Sequence, residues 1–127
     1  ELLREAPLLH GLTTQQLRTF LAAVSRRQVS AGTVLFAAGD AGDCAFIVLD
    51  GEFGLTTAEG EAARFAPGRL GQALTVGMEG LTGHPYAATV TAARHTAVLE
   101  VRRADLETLA AREPALVETL RRNLRSR

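Results

Sequence analysis

Hydrophobic and polar residues follow a helical pattern at both ends of the chain and a strand-like pattern between them. Near the N-terminus, apolar side chains fall at positions 17, 20, 21 and 24, the spacing of one helix face. Thr13 and Gln16 stand just before this stripe at the spacing of a capping box. The pattern predicts a helix over residues 14–25, preceded by a helical turn over residues 1–6 that Pro7 ends.

The middle of the chain consists of short apolar runs separated by turns rich in Gly, Pro and Asp. These runs predict strands over residues 28–29, 33–37, 44–49, 53–57, 62–65, 87–92 and 97–101. Asp50-Gly51 lies between two of them and predicts a tight hairpin. Many short strands at this spacing are typical of an antiparallel sandwich or barrel, not of a parallel sheet. The side chains expected in its interior are Phe36, Phe46, Ile47, Val48 and Val90.

The helical period returns after the last predicted strand. Residues 104–112 predict one helix, and Pro114 suits the first position of another. In the second helix Leu116, Leu120 and Leu124 form one stripe, which we expect to pack on the barrel or on a partner chain because exposed leucine rows are unfavourable. The chain is therefore predicted to be one mainly β domain over residues 1–127, with about eight short antiparallel strands and helices at both ends. It has a helical lead-in (residues 1–26), a β core (27–101) and C-terminal helices (102–127).

Composition and charge exclude several classes of protein. With 46% hydrophobic and 22% charged residues, the chain can bury a core, and 14 basic residues balance 14 acidic ones. A domain without net charge has no overall field to attract nucleic acid, so no nucleic-acid binding is expected of it alone. No apolar run approaches the ~20 residues that span a bilayer, and no signal peptide opens the chain, which predicts a cytoplasmic domain without membrane insertion.

The reactive side chains are few and scattered. Cys44 is the single cysteine, so it forms no internal disulfide, and we interpret it as a small core residue and not as a redox sensor. His10, His84 and His95 lie in three separate segments. The sequence thus predicts no metal site, no resident cofactor and no catalytic residues, and the domain is not expected to be an enzyme.

Three segments carry a resemblance to a known family. Residues 32–43, with glycines at 32, 39 and 42, are followed by Phe46-Ile47-Val48-Leu49-Asp50-Gly51, and residues 85–92 read Pro-Tyr-Ala-Ala-Thr-Val-Thr-Ala. In this order they resemble the cyclic nucleotide-binding domain family, the fold of catabolite-activator-like bacterial regulators. The resemblance covers nearly the whole chain. It implies a β jelly roll with helices before and after it, and a nucleotide pocket closed by a short loop-helix, the phosphate-binding cassette.

The cassette of this family supplies groups that a cyclic phosphodiester needs. Backbone N–H groups and a bidentate arginine hold the phosphate, and a carboxylate accepts the ribose 2′-hydroxyl. The resemblance places Tyr86 where that arginine stands. Aligning residues 77–81 with the first half of the cassette places Met78 at the ribose-binding glutamate, whereas the rival register over residues 71–74 places Gln72 there. Either register lacks the carboxylate. Arg69 or the Tyr86 hydroxyl are the candidate substitutes for the missing arginine.

The candidate ligand-binding residues follow from the first register. They are Gly77, Met78, Glu79, Gly80, Leu81, Tyr86, Ala87 and Ala88. Two of them allow alternatives: Tyr86 either lines a pocket for another small molecule or fills the cassette with its ring, and Glu79 is either a displaced ribose contact or a solvated carboxylate. Gly77 and Gly80 either expose backbone amides to an anion or serve turns.

The predicted function is that of a non-catalytic regulatory domain within a larger protein. Losing the arginine and the carboxylate together costs on the order of 3–6 kcal/mol, so cyclic AMP and cyclic GMP are expected to bind weakly or not at all. The alternative is a working sensor of a transcription regulator or another effector, with a cyclic nucleotide or a different small molecule as ligand. The expected partners are an attached effector domain or a second copy of the chain, joined through the C-terminal helix.

Overall fold

The computed structural model describes residues 7–57, 59–60, 62–66 and 74–125, and its strands form two four-stranded sheets. The strands are Ser25–Val29 (β1), Val34–Phe36 (β2), Cys44–Asp50 (β3), Phe53–Thr57 (β4), Ala62–Phe65 (β5), Leu74–Val76 (β6), Ala88–Ala92 (β7) and Thr96–Arg102 (β8). The first sheet has the order β1-β8-β3-β6 and the second β2-β7-β4-β5, with all pairs antiparallel. The predicted jelly roll of about eight strands is confirmed.

Helices flank the strands as predicted. They are Thr14–Ala23 (α1), Arg103–Arg112 (α2) and Pro114–Arg125 (α3), together with two short 3₁₀ helices, Pro7–Leu9 and Met78–Leu81. The second of these short helices is called the cassette helix below. The strands span residues 25–102, one or two residues beyond the predicted β core at each end. The helical turn predicted over residues 1–6 lies outside the described residues.

The start of α1 confirms the predicted capping box. The Gln16 N–H donates to the Thr13 hydroxyl at 3.1 Å, and the Thr13 N–H donates to the Gln16 side chain at 3.0 Å. These bonds satisfy backbone donors that a helix start otherwise leaves unpaired. The helix ends at Ala23, earlier than predicted, because the chain enters β1 at Ser25.

Strand β3 is buried on both faces and separates two hydrophobic clusters. Ala45 and Ile47 face the flanking helices, where they join a cluster with residues of α1, α2 and α3. Phe46 and Val48 point the other way, between the two sheets, with Phe36 and Val90. The predicted interior residues are therefore all buried, and Cys44 is buried among them as expected.

The predicted hairpin at Asp50-Gly51 is wrong. The strands on its two sides, β3 and β4, belong to different sheets and do not pair with each other. The turn is a corner between the sheets, fastened by Thr96, whose hydroxyl donates to the Glu52 carbonyl at 3.2 Å. Gly51 has φ 124° and lies against Thr96, so a side chain there would collide with it. The Asp-Gly signal marks the turn, but local sequence does not tell a hairpin from a corner.

The C-terminal helices close the outer face of the first sheet. Leu116 and Leu120 of α3 are fully buried within the chain, and Leu124 packs partly buried against the same cluster. The Asn123 amide donates to the Leu8 carbonyl at 2.6 Å and ties α3 to the N-terminal segment. The prediction that this leucine stripe packs on the barrel is confirmed, whereas assembly through the helix stays a prediction.

Glu100 on β8 links neighbouring segments by charge. It is only 8% exposed, and it accepts hydrogen bonds from Arg27 at 2.9 Å and from Arg102 at 3.0 Å. Burial alone would raise the pKa of Glu100, but the hydrogen bonds and charges of the two arginines outweigh it and hold that pKa below its usual value.

Candidate ligand-binding site

A cavity of about 340 Å³ opens between the second sheet, β6 and the cassette helix. Strands β2, β4, β6 and β7 contribute inward side chains, and the segments after β6 and before β7 complete the wall. Its lining residues are Phe36, Leu55, Thr57, Thr75, Val76, Gly77, Met78, Glu79, Ala87, Ala88 and Val90. The wall is largely apolar, and Glu79 is the one charged side chain among the described residues that line it.

Five of the eight predicted site residues line this cavity: Gly77, Met78, Glu79, Ala87 and Ala88. The other three, Gly80, Leu81 and Tyr86, are buried behind the wall. Leu81 points into the helix cluster that holds Leu116 and Leu120. Both halves of the candidate site, residues 77–81 and 86–88, therefore contribute to this wall.

Tyr86 fills space behind the cavity and does not line it. Its ring stacks on Phe36 with the ring centroids 4.0 Å apart, and the residue is 5% exposed. Its hydroxyl donates to the Cys44 carbonyl at 2.6 Å and accepts from the Cys44 N–H at 3.2 Å. Of the two alternatives for Tyr86, the geometry matches the ring that fills the cassette, yet the cavity beside it stays open.

The Tyr86 hydroxyl takes the place of a strand partner. Strand β6 ends at Val76, which pairs with Phe46. It therefore does not extend to Cys44, the first residue of β3. Among the described residues no strand pairs with Cys44 on that side of β3, and the hydroxyl binds both of its backbone groups. Burial, aided by the Cys44 thiol, raises the pKa of Tyr86 to about 12. Burial likewise raises the pKa of the Cys44 thiol, so both groups are neutral at physiological pH.

Two glycines let the cassette helix approach its neighbours. Gly77 has φ 77°, a left-handed conformation, and a side chain there would come within 2.8 Å of the Phe36 ring. A side chain at Gly80 would collide with the Cys44 carbonyl and lie 2.8 Å from the Tyr86 hydroxyl. Gly80 is therefore required by packing and Gly77 also by its left-handed conformation, whereas binding of an anion by their backbone amides stays a prediction.

Glu79 makes a contact within the chain, and the alternative that it contacts a ribose stays a prediction. Its carboxylate accepts the Ala87 N–H at 2.9 Å and so bridges the two halves of the candidate site across the cavity wall. It is partly buried and not simply solvated. The charged contact on this cavity is thus an internal one, between a side chain and a backbone amide.

Sequence reasoning missed several cavity residues that come from strands β4 and β6. Leu55 and Thr57 on β4, and Thr75 on β6, contribute to the wall. The two positions on β4 alternate, which is the signal by which an inward face is recognised. Strand β6 was not predicted at all, because residues 74–76 carry too short an apolar run. The candidates Arg69 and Gln72 lie outside the described residues.

Other kinds of site find no support within the described residues. No three His, Cys, Asp or Glu side chains in that part of the chain gather closely enough to hold a metal ion. His84 bonds to the Thr82 hydroxyl at 2.7 Å, and His95 bonds to Gln28. None of the described helices has the length and apolar character that crossing a membrane requires.

Comparison with known proteins places this geometry in a family. Residues 26–113 match the model of the cyclic nucleotide-binding domain. The chain belongs to this family. As a cyclic nucleotide-binding domain it has the fold of a regulatory module, and the family is typically non-catalytic.

Solved structures and curated relatives agree with that assignment. The N-terminal domain of a transcriptional regulator from Streptomyces coelicolor superposes with a TM-score of 0.80 at 26% identity, covering 99% of this chain and 89% of that one. The Thermus thermophilus catabolite activator protein gives a TM-score of 0.73 at 27% identity over 94% of this chain and 57% of that one. A cyclic nucleotide-gated potassium channel from Mesorhizobium japonicum is 30% identical over 123 residues, which is 96% of this chain and 33% of the channel. The chain thus spans about a third of the length of that curated relative.

Proposed function

We propose that this cyclic nucleotide-binding domain is a non-catalytic regulatory module of a larger protein and that it binds cyclic AMP and cyclic GMP weakly or not at all. The observation that carries the proposal is Tyr86. It stands where the family resemblance places the phosphate-binding arginine, and its hydroxyl is already bound to both backbone groups of Cys44. Tyr86 therefore offers no charge and no free donor to a phosphate.

The rest of the described wall supports the same conclusion. Met78 occupies the position of the ribose-binding glutamate in the register that includes the cassette helix, and its thioether is no substitute for a carboxylate acceptor. The nearest carboxylate, Glu79, is bound to the Ala87 amide. A phosphodiester in this cavity would face a negative side chain and no arginine among the described lining residues.

A regulatory role is supported by the way the cavity wall reaches the helices. Met78 lines the cavity and also packs against the helix cluster, and Leu81, three residues on, is buried in that cluster. A second cavity of about 480 Å³ lies between Leu81, Thr82 and α3, so the cassette helix has space beside α3 in which to shift. Movement of the cassette helix would therefore alter the packing of α3, through which an attached effector domain or a second copy of the chain would respond.

The second candidate function is that of a sensor for a different small molecule. The open 340 Å³ cavity favours it, because its size and largely apolar wall are typical of ligand pockets. In this case the regulatory machinery is the same and only the ligand differs.

Calorimetric titration with cyclic AMP and cyclic GMP tests the proposal. We expect dissociation constants of about 1 mM or weaker for the natural domain. The variant carrying Tyr86→Arg and Met78→Glu has both charged groups that the family resemblance implies. Cyclic AMP and cyclic GMP should therefore raise its melting temperature more than that of the natural domain. A dissociation constant of about 10 µM or tighter for the natural domain would overturn the proposal and indicate a working cyclic-nucleotide sensor instead.

A further inference from the structure

The Glu79 carboxylate is bound to a backbone amide on the cavity wall. Its Oε2 atom accepts the Ala87 N–H at 2.9 Å, and both residues line the same cavity. A carboxylate is itself an oxyanion, so this contact shows that the Ala87 amide is oriented to bind one. In the described part of the chain no arginine or histidine forms a salt bridge with Glu79, and its charge stays uncompensated at the wall.

The remaining wall fits an uncharged body. Phe36, Leu55, Val76 and Val90 offer apolar surface. The Thr75 hydroxyl is buried and has no hydrogen-bond partner among the described residues, so it is available to one polar atom of a ligand. A ligand that carries a negative charge would meet repulsion from Glu79 and would have to displace its carboxylate from Ala87.

We infer that Glu79 determines the charge selectivity of this cavity: it excludes anions and leaves the site to neutral or cationic small molecules with an apolar body. The inference rests on the proposed function, because it treats the cavity as the ligand site. It goes further in assigning the discrimination against phosphate to a residue that is present, and not only to the arginine that is missing.

The experiment compares two probes that differ in the phosphate charge, cyclic AMP and adenosine. Both are titrated by NMR into the ¹⁵N-labelled domain, up to millimolar concentration, for the natural sequence, Glu79→Ala and Glu79→Gln. Glu107→Gln is the matched control, because it removes the same charge from an exposed residue of α2 that does not line the cavity. The amide spectrum also reports whether each variant is folded.

In the natural domain we expect adenosine to bind at least about tenfold more tightly than cyclic AMP, because the phosphate and the Glu79 carboxylate are like charges that repel each other over a few ångström near a protein surface. In Glu79→Ala this preference should fall to within about threefold through a gain in affinity for cyclic AMP. The substitution removes the negative charge and frees the Ala87 amide for the ligand. Glu79→Gln should fall between the two, because it keeps an acceptor for Ala87 without the charge. Glu107→Gln should match the natural domain.

Three results would overturn the inference: an unchanged Ala87 amide resonance in Glu79→Ala, a selectivity that is the same in the natural domain and in Glu79→Ala, or no binding of either probe to any variant. The proposed function fails separately. Tight cyclic AMP binding by the natural domain refutes that proposal even if Glu79→Ala binds tighter still, whereas weak binding that Glu79→Ala does not improve removes only the role of Glu79.

Discussion

Replacing Tyr86 by Phe removes a single oxygen atom from the contact that joins the candidate site to the start of β3. The ring and its stacking on Phe36 remain, with centroids 4.0 Å apart in the natural domain. What disappears is the hydroxyl that donates to the Cys44 carbonyl at 2.6 Å and accepts the Cys44 N–H at 3.2 Å. The substitution therefore isolates the hydroxyl from the packing of the aromatic ring.

The magnitude follows from burial at this contact. Tyr86 is 5% exposed and Cys44 is 9% exposed, so water does not readily replace the lost hydroxyl. An unsatisfied buried donor or acceptor costs about 1–3 kcal/mol, and here one donor and one acceptor lose their partner. We expect the free energy of unfolding to fall by about 2–3 kcal/mol, a large share of the ~5–15 kcal/mol that stabilises an ordinary domain.

Urea unfolding followed by far-ultraviolet circular dichroism measures this change. Cys44→Ala is the control, since it removes the thiol that lies 3.6 Å from the hydroxyl and keeps both backbone bonds. The control should lose less than about 1.5 kcal/mol. If Tyr86→Phe unfolds within about 0.5 kcal/mol of the natural domain, the hydroxyl is not the partner of Cys44 that the structure shows, and the argument from Tyr86 loses its basis.

Three more predictions concern the same region and the charge network of β8. Tyr86 is the only tyrosine and the chain has no tryptophan, so absorbance near 295 nm follows this phenol alone. Tyr86 should titrate with a pKa of about 12. Its neutral form should therefore stabilise the folded domain fully below pH ~10, and this contribution should be lost as the pH rises towards 12. Titration at the ordinary value of ~10 would contradict its burial. Glu100→Gln should lower the free energy of unfolding by about 1 kcal/mol at pH 7. The difference from the natural domain should shrink as the pH falls below ~4.3, because the lowered pKa of Glu100 adds stability only where the carboxylate is charged. A difference that does not vary with pH would refute the pairing of Glu100 with Arg27 and Arg102. Gly80→Ala should destabilise the domain by about 2 kcal/mol or more in thermal unfolding because its methyl group meets the Cys44 carbonyl, and a neutral effect would show that the cassette helix can move away at no cost.

Local patterns predicted most of the elements because each depends on residues close together in the chain. The capping box at Thr13 and Gln16 and the leucine stripe of α3 each follow from spacing alone, and the structure confirms both. The Asp50-Gly51 turn shows where this reasoning stops. A hairpin and a corner between sheets use the same turn residues, and only the pairing of β3 with β6 and β8 decides which is formed.

The candidate site was likewise predictable from the sequence only in part. Its segments, and the absence of an arginine at position 86, are properties of the sequence, since they need only the order of residues and the resemblance to a family. Which residues face the cavity was decided by tertiary structure. The Tyr86 hydroxyl is turned away to the backbone of Cys44, 42 positions earlier in the chain, because β6 ends before it can pair there. The Glu79 carboxylate reaches Ala87 because the turn between them folds back, bringing a side chain and an amide eight positions apart to 2.9 Å. Contacts of this kind depend on where strands end and how segments return, which no local pattern of hydrophobic and polar residues encodes.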